Sequence, residues 1–367
     1  MKIWLDILTP KQMMFFEPII NYLHSDGHII LCTSRKYREA TELAKIIGIE
    51  FKEIGIHGGS EKYDKLLAST ERIKQLLKII KEFSPDLTIS FSSPEAARIS
   101  FGLGIKHYVF NDSPHAESVA RLTIPLSDKL FCPWIIPYKE WMKYGIDKRN
   151  IIKYKSLDPI MWLKREKFDT KYNESLIKKF KIDSEKKTIV IRPEESKAAY
   201  ILNNKNKKIN NTIKIIDKIV FKYSELCNII IFGRYADQIK FFKNRYSNRI
   251  KIINEIIRGT YLIKLADIFI GAGGTMSAEA ALMGKPVISI APIRFHVENY
   301  LISKGLIQKI LDTNKIEKTI DKMLIVKGNY NKEKNMKKQK KQREKSIQIV
   351  EEMEDPLIVF KRIFKNP

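Results

Sequence analysis

Cysteine is scarce. Only Cys32, Cys132 and Cys227 occur in 367 residues, far apart and without paired spacing. That argues against a disulfide framework and a cysteine zinc site, and fits a reducing cytoplasm. Long apolar runs are missing too; none approaches the roughly 20 residues that a membrane span needs. The start, MKIWLDILTP, places Asp6 early and has no cleavage-site pattern, so no secretory leader is expected. No His/Asp pairs sit at ligand spacing, so no metal and no cofactor is expected. A nucleophile elbow for Ser-His-Asp hydrolysis is also lacking. There is no short tandem repeat. Acidic residues are in deficit, 42 against 67 Lys and Arg, for a formal charge of +25.

That excess fits either an anionic partner or plain composition, since Lys and Ile abound throughout. One cluster stands above the background. NKEKNMKKQKKQREK (331–345) holds eight bases and two acids. It has no interleaved aromatics, so base stacking, and nucleic acid as a partner, is not expected. A solvated helix face and contact with anionic lipid headgroups are the two readings of the run.

Hydrophobic residues make up 44% of the chain, enough for packed cores. Short apolar runs alternate with amphipathic segments. KIWLDIL, HIILCTS, FKEIGI, DLTISFS, KHYVFN and KLFCPW read as strands of a first half. KTIVIRP, NIIIFGR, RIKIIN, DIFIGAG and PVISIAP read as strands of a second. Such alternation predicts right-handed βαβ units and parallel sheets. The expected organisation is an N-terminal domain over 1–160, a linker over 161–186, a C-terminal domain over 187–343 and a closing helical tail over 344–367. Ligands of such sheets bind outside the carboxyl ends of the strands. A site built from strand-end loops of both halves, facing across a cleft, is the expectation.

GAGGTMSAEAALMGKPVISI (271–290) carries the most chemistry. A strand leads into Gly271, Gly273 and Gly274, which let backbone approach a ligand. Thr275 is the expected N-cap of a short helix over 276–283, with Gly284 as left-handed C-cap and Pro286 beyond. The free N–H groups of that helix start suit an anion. Glu279, one turn deeper, suits the vicinal hydroxyls of a ribose. A dinucleotide fingerprint fails at Met276, and a P-loop fails at Pro286. The alternative is a tight turn with Glu279 exposed.

Those residues resemble the nucleotide-binding signature in the C-terminal half of GT-B-fold proteins. They are similar to the UDP-N-acetylglucosamine transferase of peptidoglycan synthesis, and to UDP-N-acetylglucosamine 2-epimerases with their Gly-Gly, acidic helix and Gly-Lys-Pro. With KIWLDI and the following Phe15, Phe16 and Pro18, His57-Gly58-Gly59 and Arg192-Pro193-Glu194, the whole chain resembles a largely archaeal family of unknown function. This is number 354 in the domain-of-unknown-function series. The resemblance implies an α/β, GT-B-like fold of two Rossmann-like parallel-sheet domains, with a UDP-sugar as substrate.

Further candidates follow from strand ends. Arg192 and Arg234 would stabilise a diphosphate leaving group, and Arg294 could do so bidentately. His296, with Glu298 and Asn299, sits where sugar-nucleotide transferases hold the donor sugar. Asp112, His115 and Glu117 after KHYVFN are the candidate acid–base groups, and resemble the His-x-Glu loop of the epimerases. After the first strand, Thr9-Pro10-Lys11 replaces the glycine-rich acceptor loop with a catalytic His that GT-B enzymes often carry. Lys11 would bind an anionic acceptor instead.

Three functions compete. The first is a cytoplasmic transferase that moves a sugar from UDP to an unknown acceptor, lipid-linked or anionic, at the inner membrane face. The second is a non-hydrolysing 2-epimerase that uses Asp112, His115 and Glu117. The third is a non-enzymatic basic binding protein.

Overall fold

The computed structural model describes residues 1–59, 61–194, 205–233, 235–324 and 332–365. The chain divides into two compact units. One comprises Met1–Arg165 and takes up Met353–Pro367 again; the other comprises Glu166–Ser196 and Ile201–Glu352.

In the first unit, β1 (Lys2–Asp6), β2 (Ile29–Lys36), β3 (Lys52–Ile56), β4 (Leu87–Ser90), β5 (Lys106–Phe110), β6 (Lys129–Pro133) and β7 (Ile151–Tyr154) pair in parallel, in the order β3-β2-β1-β4-β5-β6-β7. Ile3 to Asp6 are all buried, the near-continuous apolar run of a strand covered on both faces. The following helix, Pro10–Ser25, is started by Thr9, whose hydroxyl accepts from Gln12 N at 3.4 Å, with Pro10 in its first turn. It drives Phe15 and Phe16 into the core, where Phe15 meets Phe91 and Phe110 edge-on at 5.3 and 5.0 Å.

The end of β1 is pinned by a fully buried ion pair. Arg72 donates two hydrogen bonds to Asp6, at 3.0 and 2.6 Å. Thr33 and Ser93 hydroxyls each donate to Asp6 at 2.6 Å, and Trp4 Nε1 donates to Thr33 at 2.8 Å. Burial pushes the Asp6 carboxyl up, and Arg72 with the hydroxyls outweighs it to leave Asp6 below the ordinary range.

In the second unit, β8 (Lys187–Arg192), β9 (Cys227–Phe232), β10 (Lys251–Ile253), β11 (Ile268–Gly271), β12 (Val287–Ser289) and β13 (Ile307–Lys309) form a parallel sheet in the order β10-β9-β8-β11-β12-β13. That is the doubly wound Rossmann arrangement, with β8 and β11 at the point where strand order reverses. Its core is Ile-rich, with Ile189, Ile191, Ile229, Ile231, Ile268 and Ile270 clustered around helix residues Ile215, Ile216 and Ile219.

Three segments differ from the sequence expectation. The stretch read as a linker holds helices Ile160–Leu163 and Thr170–Lys179; in the second of these only Leu176 is buried, so it shows no apolar stripe. Strands β7 and β13 are short and flank their sheets, which hid them. The expected single tail is two helices, Lys332–Glu352 and Pro356–Lys365, broken where Asp355 Oδ1 accepts from Leu357 N at 3.0 Å. The second helix belongs to the first unit's core. Phe360 is fully buried and lies 6.1 Å from each of Phe110 and Phe131.

The basic run falls on the first of those helices, with Asn331 outside the described residues. Gln339 and Gln342 donate to Met323 O, Lys285 O and Leu306 O, seating one face on the second unit. Lys337, Lys338, Lys340, Lys341, Arg343 and Lys345 face water. No described helix is long and apolar enough to cross a membrane.

All of Trp4, Trp134, Trp141 and Trp162 lie in the first unit, so tryptophan fluorescence follows its unfolding alone. Removing one partner of a buried pair costs about 3–5 kcal/mol, so Arg72→Met should lower urea stability by that much. Lys74→Met breaks an exposed i,i+3 pair with Glu71 and should change it by less than about 0.5 kcal/mol. Equal effects would show that the buried network is not what holds β1.

Candidate functional site

In the second unit the carboxyl end of β11 runs into the glycine corner beside β8. Gly271 pairs with Arg192, and Ala272 N donates to Arg192 O at 3.0 Å. Each glycine has its own reason. A Cβ on Gly271 would lie 2.2 Å from Ser277 Oγ, and one on Gly273 2.7 Å from the Phe295 ring. Gly274 adopts φ +89°, ψ −171°, a region essentially closed to other residues.

Gly274, not Thr275, is the N-cap of the helix Thr275–Leu282, and no side chain caps it. The chain enters through that glycine conformation, so Thr275 is already inside the first turn. The helix carries no acid in its first turn, which leaves its positive end uncompensated by its own residues. Ser277 Oγ is buried there with no hydrogen-bond partner among the described residues. Gly284 follows the helix at φ +75°, as expected. Glu279 is 5% exposed rather than on the surface, and Gly259 lies against it: a Cβ there would sit 3.7 Å from Glu279 Oε2.

The other predicted residues of this unit fall variously. Arg192 Nη1 donates to Phe232 O and Gly233 O at 2.7 and 3.0 Å, with its guanidinium 4.5 Å from the Phe232 ring centre. It therefore ties β8 to the end of β9. Arg234 lies outside the described residues. Arg294 is exposed, and His296 opens the helix His296–Ser303 next to Phe295, whose ring covers Gly273. Glu298 does not join His296 in a sugar-holding loop face; it is buried, paired with Lys309 at 2.6 Å and hydrogen-bonded by Ser289. Glu194, past the end of β8, is a buried carboxyl whose Oε2 lacks a partner among the described residues, and burial raises its pKa.

In the first unit the structure builds a cluster that the sequence only half disclosed. Lys11 Nζ lies 2.6 Å from Asp112 Oδ2 and 2.6 Å from Asp158 Oδ2, and 4.4 Å from the Phe91 ring centre. Lys11 follows β1, Phe91 follows β4, Asp112 follows β5 and Asp158 follows β7. Ser113 hydroxyl donates to Asp112 at 2.8 Å and Tyr154 hydroxyl donates to Asp158 at 2.5 Å. Burial lowers the Lys11 pKa, but Asp112 and Asp158 outweigh it and hold the ammonium firmly charged. Burial likewise raises Asp112, and Lys11 brings it below the ordinary range. For Asp158 burial prevails, with Asp112 adding to it, and its pKa reaches about 6.

Of the predicted acid–base trio, Asp112 alone joins this cluster. Glu117 is exposed and paired with Arg121 at 2.8 Å, and His115 is half-buried in the preceding turn. Lys11 is not the open cation expected for an anionic acceptor, being held between two carboxylates. Asp158 was missed because it falls just ahead of the segment read as a linker, outside every motif; its one signal is an Asp-Pro just past a strand.

Two parallel-sheet units, the second with a glycine corner at its switch point, define a GT-B-like α/β protein. The chain belongs to the family described as protein of unknown function (DUF354), whose model matches residues 1–355. The uncharacterized protein MJ0665 of Methanocaldococcus jannaschii is 30% identical over 323 residues, 87% of this chain and 89% of that protein. The solved structure of UDP-GlcNAc 2-epimerase from Neisseria meningitidis bound to UDP-GlcNAc matches with a TM-score of 0.75 at 16% identity, over 100% of both chains. Spinosyn rhamnosyltransferase SpnG complexed with spinosyn aglycone matches with a TM-score of 0.59 at 12% identity, over 99% of this chain and 100% of that one. At such identities the likeness is one of fold.

The close approach at the corner is testable. Gly271→Ala should lose about 1–3 kcal/mol by overpacking against Ser277 Oγ. In Gly271→Ala/Ser277→Ala the hydroxyl contact is gone and the added methyl is left 3.0 Å from the Phe269 ring and 3.5 Å from the Ser277 Cβ position, so part of that loss should return. Purely additive effects in thermal unfolding would show that the two sites do not touch.

Proposed function

We propose that this protein is an enzyme acting on a UDP-sugar. Nucleotide recognition belongs to the second unit, with pyrophosphate at the start of the helix Thr275–Leu282 and ribose hydroxyls on Glu279. The observation that carries this reading is the buried Glu279 one turn inside a helix entered through Gly273 and Gly274. Gly273, Gly274 and Thr275 would place amides on the phosphates, and Arg294 and His296 would lie on the sugar side. The fold shared with an epimerase bound to UDP-GlcNAc supports it.

For the reaction, the sequence placed sugar transfer first. The paired carboxylates of the first unit favour isomerisation of the sugar instead, because that chemistry removes a proton and returns one. Under the transfer reading, the exposed lysines of the helix Lys332–Glu352 would suit an anionic or lipid-linked acceptor at a membrane face.

Thermal denaturation with UDP-GlcNAc, other UDP-sugars and GDP-sugars tests the nucleotide assignment. Ligand at 100 Kd stabilises by about 2.7 kcal/mol, so a clear rise in Tm is expected, and Glu279→Gln, which keeps the volume of the buried side chain, should abolish it. Absence of a shift with every nucleotide would refute the assignment. Deuterium from solvent entering C2 of the sugar marks isomerisation; its absence with binding intact would leave transfer ahead.

A further inference from the structure

Nucleotide recognition does not account for the charge arrangement of the first unit. Lys11 stands between Asp112 and Asp158, 2.6 Å from each. Two carboxylates about one ammonium leave one negative charge over, and burial makes an unmatched charge costly. The charged or titratable groups that bear on Asp158 include Lys11 from the first helix, Asp112 after β5, Tyr154 from β7 and Cys132 from β6. Lys11 is the single cation among them. Asp112 Oδ2 and Asp158 Oδ2 lie on the same ammonium nitrogen, which brings the two carboxyl groups together. Both are only acceptors when ionised, so a proton taken up by either one gives the pair a donor. Exposure then separates their roles. The Asp158 side chain is 1% exposed and that of Asp112 19%, so Asp112 is the outward member.

We propose that Lys11, Asp112 and Asp158 form a proton relay, in which Asp112 exchanges a proton with the substrate and Asp158 holds that proton as a positioning residue. In the forward half, a substrate C–H or O–H bond breaks, its electron pair stays on the substrate atom, and the proton moves to the Asp112 carboxylate and on to Asp158. In the return half the proton goes back to the substrate, or leaves to water when the substrate keeps its anion. The ammonium of Lys11 keeps Asp112 ionised and ready to accept. This rests on the reading of the first unit as the acid–base half, but the state of the pair is measurable without any nucleotide.

Infrared titration of the full chain reads the carboxylic acid band directly. The wild type should gain one protonated carboxyl as pH falls through about 6, well before ordinary carboxylates titrate. Asp158→Asn, whose one amide oxygen can still accept from Tyr154, should lose that step. Tyr154→Phe, which removes the hydrogen bond to the ionised Asp158, should move it to higher pH. The stability sign agrees: a folded-state pKa raised from 3.8 favours the fold below about 4, and that gain fades as pH rises through about 6. Asp158→Asn should therefore lack this fall in first-unit Tm. With UDP-GlcNAc, Asp158→Asn should also displace the acid limb of solvent-deuterium exchange to lower pH.

A near-6 step that survives Asp158→Asn, or no step at all, overturns the relay. Should Asp158→Asn not fold, an unmoved step in Tyr154→Phe overturns it equally. A step that behaves as stated in a chain no nucleotide stabilises would uphold the relay and remove the UDP-sugar reading, so the two fail separately.

Discussion

A charge taken out of water has to be matched, and that constraint organises the first unit. The matching is complete at the end of β1. Asp6 and Glu95 face Arg72 and Arg35, two charges of each sign, and Asp6 accepts from two hydroxyls as well. The result is a closed arrangement in which the carboxylate stays ionised. The cluster of Lys11, Asp112 and Asp158 has the same ingredients but one cation too few. Burial without full matching drives a carboxyl toward its neutral form, so Asp158 is pushed up while Asp6 is held down. One network serves as a pin, and the other takes up a proton as pH falls through about 6. Their difference is a count of charges, not a difference of residue type.

The second unit meets another limit, that of backbone against backbone. Its strand order sets β8 beside β11, and the loop after β11 has to turn into a helix within a few residues. Side chains at 271, 273 or 274 would strike Ser277, strike Phe295, or force a conformation foreign to L-residues. Glycine at all three makes the turn and leaves the amides at the helix start uncovered by side chains of their own segment.

The strands were legible where apolar runs were long. KIWLD, CNIIIF and IFIG are buried on both faces, and the residue pattern says so directly. The glycine corner was legible because three glycines before a helical pattern exceed what a turn requires. What escaped shares a physical cause: its neighbours come from far away in sequence. Asp158 reads as a turn residue until Lys11, some 150 residues earlier, closes on it. Phe360 looks like part of a loose tail until it meets Phe110 and Phe131. Glu298 looks like a sugar-loop carboxylate until Lys309 is seen to claim it. Thr275 follows every local rule for an N-cap, and loses the place because Gly274 alone can take the entering conformation.

The choice between sugar transfer and isomerisation turns on what happens to the proton. Transfer to a hydroxyl releases a proton that has no further use, so a base in contact with water suffices. Isomerisation at carbon removes a proton and supplies another within one turnover, and it gains from a carboxyl that holds a proton apart from bulk solvent. Asp158 is such a group, almost wholly buried behind Asp112. Lys11 points the same way. An ammonium reserved for an anionic acceptor would stand open, whereas this one is already held by two carboxylates, and a third anion would have to displace one of them. The basic exterior says nothing against this, since the exposed lysines of the helix Lys332–Glu352 lie in the other unit and take no part in the cluster. The paired acids thus give the first unit a reversible proton store, and a reaction that uses one is the better match.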